Sequence, residues 1–190
     1  MTEVAYNTLF EGLSPEDTNE VLGVVSRIVG KKRGASDRIL QKAYYLACVE
    51  SIEDRLTKLP SPRFFSWTYG PWSKQLREIM EAAEDTGAVE VDFGPSRYKP
   101  VTKVYKWPAK RELPPMKDPE DATFIEGFMH HVAKLPGDEL TSLAKKTVPY
   151  LRTPSGHPID LDGYLAERKL ALESLSDDAM LAGILESRTR

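Results

Sequence analysis

One helix-start signal occurs twice and divides the chain: a capping residue, a proline and two acids, as Ser14-Pro15-Glu16-Asp17 and again as Asp118-Pro119-Glu120-Asp121. In each copy the first side chain can accept from the open amides, the proline suits the first helical position, and the acids complement the positive helix end. Apolar residues follow at helical spacing, Val21, Leu22, Val25, Ile28 and Val29 after the first signal, Phe124, Ile125, Phe128, Met129, Val132 and Leu135 after the second. Gly30 and Pro136-Gly137 close these two stretches. A chain punctuated in this way folds by stacking amphipathic helices of ordinary length.

Ser36 is placed to cap another helix, whose stripe is Ile39, Leu40, Ala43, Tyr44 and Ala47. Pro60-Ser61-Pro62 then breaks the pattern and introduces an extended aromatic run, Phe64 to Tyr69, that ends at Gly70-Pro71. The next helix is predicted from about Trp72 to Thr86, with Leu76, Ile79, Met80 and Ala83 inward and Gly87 as the stop. Val89, Val91 and Phe93 alternate with Glu90 and Asp92, and after Gly94-Pro95-Ser96 a second strand-like run spans Val101 to Trp107, so a hairpin is expected. Helix, helix, hairpin is an order that suits a winged-helix-like unit and equally an unrelated small α+β cap.

Pro108, Pro114 and Pro115 mark a linker. A short helix carrying Leu140, Leu143 and Ala144 is expected to stop at Pro149, followed by an irregular loop over 150–158. Tyr164, Leu165 and Leu170 predict one more helix, and Met180, Leu181 and Ile184 a last one behind a Ser176-Asp177 cap. The fold class is therefore mostly α with a small β-hairpin, arranged as residues 1–35, 36–165 and 166–190 of one compact unit.

Composition narrows the function. With 26 basic and 29 acidic side chains the net charge is -3, so no global positive field attracts nucleic acid. The lone cysteine, Cys48, excludes an internal disulfide, lies in an apolar helical pattern and fits a reducing, cytoplasmic setting. No stretch approaches the ~18 apolar residues of a membrane span. The hairpin is locally basic: Arg97, Lys99, Lys103, Lys106, Lys110 and Arg111 alternate with Tyr98, Tyr105 and Trp107, a pattern for phosphate contact and base stacking or for an acidic protein partner.

Of the preceding helix, only Lys74 and Arg77 near its start suit base reading, since Glu78, Glu81, Glu84 and Asp85 would repel phosphates. His130 and His131 with Glu126 lack a third ligand at helical spacing, and Asp160 and Asp162 read as helix caps. There is no phosphate-binding loop, nucleophile elbow, cysteine pair or Rossmann glycine pattern, so neither catalysis, a cofactor nor a metal is expected.

Three segments carry a family resemblance: Leu40-Gln41-Lys42-Ala43-Tyr44-Tyr45-Leu46-Ala47, then Trp67-Thr68-Tyr69-Gly70-Pro71-Trp72-Ser73 with Leu76, then Glu139-Leu140 running on to Pro149-Tyr150. In order and spacing they resemble the Panacea, or SocA-like, domain over about residues 37–164, with Tyr150 standing where the family often has Trp. The resemblance implies a mostly helical, phage-associated or toxin–antitoxin-related protein that neutralises a partner toxin by direct contact or presents it to a protease. A winged-helix-like DNA-binding regulator is the alternative reading. Gly70 and Pro71 should fix where Tyr69 and Trp72 point, with Lys42, Tyr44, Pro149 and Tyr150 as the structural part of the motif. Both rings are expected in the core, unless one anchors a partner-binding surface together with Lys74 and Arg77.

Overall fold

The computed structural model describes residues 14–94 and 101–188, with the backbone alone for Lys31 and residues 176–188. The chain opens on α1 (Pro15–Lys31), where Ser14 and Asp17 form a reciprocal capping box. Val21, Val24, Val25, Ile28 and Val29 are fully buried along one face. A two-residue strand β1 (Ala35–Ser36) leads directly into α2 (Asp37–Arg55), which runs through the middle of the molecule. Leu40, Ala43, Tyr44, Tyr45, Ala47, Cys48 and Ile52 are all inaccessible, so this helix is covered on nearly every side. Leu56 ends it in the left-handed conformation, φ 53°.

After the aromatic stretch come α3 (Lys74–Asp85) and the hairpin of β2 (Glu90–Gly94) and β3 (Thr102–Lys106). The hairpin is as expected, and β1 adds a third strand that alternation could not reveal, because two residues carry no period. The antiparallel order is β1-β3-β2, with Ala35 opposite Tyr105 and Val91 opposite Tyr105 from the other side. Then α4 (Pro119–Val132) packs on α1, α5 (Gly137–Lys146) packs on α2, α6 (Val148–Arg152) follows α5, and α7 (Leu161–Arg188) closes on α2 through its first turns. One hydrophobic core joins these elements. Among the described residues no helix is long and apolar enough to cross a membrane.

Three expectations are corrected. The α3 helix begins at Lys74 under a Ser73 cap (Oγ to Leu76 N–H 3.2 Å), so Pro71 and Trp72 precede it, with Trp72 bridged to Phe65 instead. Pro149 lies in the first turn of α6 and does not end the helical path after α5, since a proline there forfeits no helical hydrogen bond. The C-terminal segments form one helix through Ser176-Asp177, because neither glycine nor proline interrupts residues 164–182. The divisions drawn at 35/36 and 165/166 accordingly fall inside β1 and α7. The element order α1-β1-α2-α3-β2-β3 is compatible with a winged-helix unit, although 18 residues, 56–73, separate α2 from α3 where that unit has a tight turn.

Candidate functional site

The segment 56–73 has no regular structure, so its backbone groups need partners from elsewhere. Part of the answer is local. Phe65 and Trp72 exchange backbone bonds of 2.8 and 3.0 Å, and Gly70 N–H closes the tip on Trp67 C=O at 2.8 Å. The other edge pairs with the chain before α7: Ser66 with His157 and Gly156, and Phe64 with Ile159.

Long-range side chains fasten the rest. A helix that buries a glutamine and a lysine completely requires a reason, and Gln41 (0% exposed) and Lys42 (3%) in α2 supply it by reaching this segment. The Gln41 amide donates to Ser73 C=O at 2.9 Å and accepts from Ser73 N–H at 2.8 Å, imitating a strand neighbour. Lys42 Nζ donates to Pro71 C=O at 2.6 Å. From α5, Lys145 donates to Thr68 C=O at 3.1 Å, and from α6, Tyr150 Oη donates to Trp67 C=O at 2.5 Å. Beneath the turn, Phe64 lies against Tyr44 and Tyr45, whose hydroxyls bond Pro60 C=O and Thr147 Oγ1.

Gly70 is held at φ +89°, and a Cβ there would sit 3.1 Å from Lys42 Cε. The turn therefore needs glycine both for its backbone conformation and for the closeness of α2. The outcome is a fixed loop whose rings face outward. Tyr69 is 81% exposed and Trp67 48%, with Val148 and Leu151 of α6 also exposed nearby in the chain that holds them. The expectation that Tyr69 is core is corrected: the anchoring runs through main-chain groups of the turn, which leaves its side chain outside. Trp72, by contrast, is half-buried.

No family model, curated protein or solved structure matches the chain. The site is thus read from its geometry, which brings the three motif segments of α2, the aromatic turn and α5–α6 to one place.

Its electrostatics are mixed. Burial lowers the Lys42 pKa to about 8, with Asp37 drawing it up and Arg38 and Lys145 pressing it further down. Burial also raises the Asp37 carboxyl. Beside the turn, Arg38, Lys145 and Lys146 rim a shallow recess of about 480 Å³ with Asp138, Thr141 and Ser142. Arg38 is engaged there by Asp138 at 2.6 Å.

The remaining predicted site residues lie elsewhere. Lys74 and Arg77, exposed on α3, pair with Glu78 (2.9 Å) and Glu81 (3.0 Å). Lys103 pairs with Glu84 at 2.6 Å and Lys106 with Asp92 at 2.7 Å, whereas Arg111 donates to Gly87 C=O at 3.0 Å and lies over the Trp107 ring. Arg97 and Lys99 lie outside the described residues. Cys48 is fully buried, with its thiol pushed up to about 12 by burial. His130 and His131 stand edge to face, 5.7 Å between ring centres. Asp160 caps α7 through Gly163 N–H at 2.8 Å. In the sequence Gln41 and Trp67 stand within motifs that give neither a role, and no pattern singles out Lys145. For Gln41 and Lys42 helical spacing carries no signal: both fall outside the stripe of Ile39, Leu40, Ala43, Tyr44 and Ala47, and they are buried because α2 is covered on nearly every side.

Proposed function

We propose that this chain is an antitoxin-like interaction protein that neutralises or presents a partner protein by direct contact, with Trp67 and Tyr69 as its anchors. The observation carrying this reading is the turn itself, where four carbonyls are fastened from α2, α5 and α6 while two large rings stay exposed. Rigid aromatic residues offer large contact area at small ordering cost, which is why they dominate protein interfaces. The role is binding rather than catalysis. A reducing, cytoplasmic setting suits the single buried thiol.

The test is genetic and biochemical. The product of an adjacent, co-transcribed gene should be lethal alone, harmless with this chain, and copurify with it. Tyr69→Ser and Trp67→Ser should each weaken that complex by about 2 kcal/mol without lowering the unfolding midpoint. Full affinity in the folded double variant would overturn the assignment of the anchors.

A DNA-binding regulator is the second reading, favoured by the element order and by strand order β1-β3-β2. The carboxylate partners of Lys74, Arg77, Lys103 and Lys106 weigh against it, since phosphates would have to displace them.

A further inference from the structure

Between α2, α4 and α5 lies an open groove of about 630 Å³, which shares Lys146 with the recess beside the turn. Its floor is apolar: Leu46, Val132, Leu143 and the stacked rings of Phe124 and Phe128, 6.2 Å apart. Arg55 lies over the Phe124 ring at 4.3 Å and is itself matched by Asp121 at 2.5 Å. Two carboxylates one helical turn apart on α2, Glu50 and Asp54, line the near wall, and among the described residues no ion pair engages either. Burial and the neighbouring Asp54 and Glu53 raise the Glu50 carboxyl. His131 and Lys146 stand toward the α4 and α5 walls.

Gly127 lies in the middle of α4, in the wall of this groove. Glycine weakens a helix interior, so it calls for a cause. Gly23 in α1 has one, because Met116 Cγ would lie 3.0 Å from an added Cβ. Gly127 has none within the fold: its backbone is helical and nothing lies within 4 Å of an added Cβ. A small residue on an exposed helix face beside an apolar floor is what lets another backbone approach closely.

We propose that this groove receives an amphipathic helix of a partner protein, its apolar stripe on Phe124, Phe128 and Leu143, its backbone crossing Gly127, and a lysine or arginine directed to Glu50 and Asp54. Charge selects the occupant: the two carboxylates lack a cation that a basic side chain supplies, and Lys146 accepts an acid on the opposite flank. No residue of the aromatic turn lines this groove.

The probe is an 18-residue fluorescent peptide of leucine and lysine with leucine at helical spacing, titrated by anisotropy onto the full chain. A scrambled peptide of the same composition and a leucine–glutamate analogue serve as controls. The leucine–lysine helix should bind at micromolar concentration, and Gly127→Trp should weaken it by about tenfold or more. Glu50→Gln with Asp54→Asn should weaken it about threefold or more and flatten its salt dependence. Tyr69→Ser should leave it unchanged, which separates this outcome from failure of the anchor assignment. Gly127→Ala should melt at or above the wild-type temperature. Equal binding of the scrambled peptide, indifference to Gly127→Trp, or no binding would overturn the proposal. So would a lowered melting point of Gly127→Ala, or a dimer in sedimentation that Gly127→Trp dissociates, which would make the occupant a second copy.

Discussion

At the scale of single residues, Gly70 and Lys42 are coupled, because one makes room for the other. Gly70→Val adds branched atoms where the backbone sits at φ +89° and Lys42 Cε is 3.1 Å from the new Cβ. It should cost about 1–2 kcal/mol or more in denaturant unfolding, whereas Lys74→Ala, on an exposed helix start, should stay within about 0.5 kcal/mol. Lys42 makes stability depend on pH. Its folded pKa, about 8, lies below the ordinary 10.5 because the ammonium is buried, with Asp37, Arg38 and Lys145 as the charges facing it. Below about pH 8 the lysine is protonated in both states and the burial penalty is constant. Between about 8 and 10.5 the folded lysine releases its proton first, the unfolded chain binds more protons, and stability rises with pH. Cys48 and Tyr105, both held up to about 12, and the raised Tyr44 and Tyr45 act in the opposite sense once their unfolded forms ionise. These groups are common to Lys42→Met, so the difference between the two proteins isolates the lysine. Wild type should gain on Lys42→Met by about 3 kcal/mol from pH 7 to pH 10.5 in urea unfolding. A flat difference would mean that the ammonium is not desolvated.

At the scale of elements, the legible parts were those with local causes. Caps such as Ser14 and Asp118 bond within three residues of themselves, so α1 and α4 could be read directly. The start of α3 and the strand β1 are not legible, because tertiary partners decide them: Gln41 occupies both backbone groups of Ser73, and β3 recruits Ala35 and Ser36. The candidate site divides in the same way. Gly70 as a turn glycine was evident, but the outward course of Tyr69 follows from four carbonyl contacts that span the chain. The α7 helix offers its own test. Leu161 and Tyr164 are buried, Tyr164 donates to Glu53, and Arg168 pairs with Glu53 at 2.7 Å. Leu170, Leu172 and Leu175 are 54–66% exposed. Replacing those three leucines with serine should change the melting temperature little, by no more than the effect of ordinary surface substitutions, about 0.5 kcal/mol each. Tyr164→Ala should lower it clearly.

At the scale of the whole molecule, a net charge of -3 and the paired cations of α3 and the hairpin predict weak association with duplex DNA. Any such binding should fade between low and physiological salt as counterion release loses its advantage. A sequence-specific complex of nanomolar strength at physiological salt would promote the regulator reading. The fastening of the aromatic turn also bears on timing during synthesis. Gln41 leaves the ribosome roughly 110 residues before Tyr150, an interval of roughly 5–20 s at ordinary elongation rates. Until α5 and α6 have emerged, the Trp67 and Thr68 carbonyls lack their clasps, so a nascent chain bears the rings without the shape. A partner that needs both meets a competent surface only on a nearly finished polypeptide, and a message cut short before residue 150 yields a product unable to hold it.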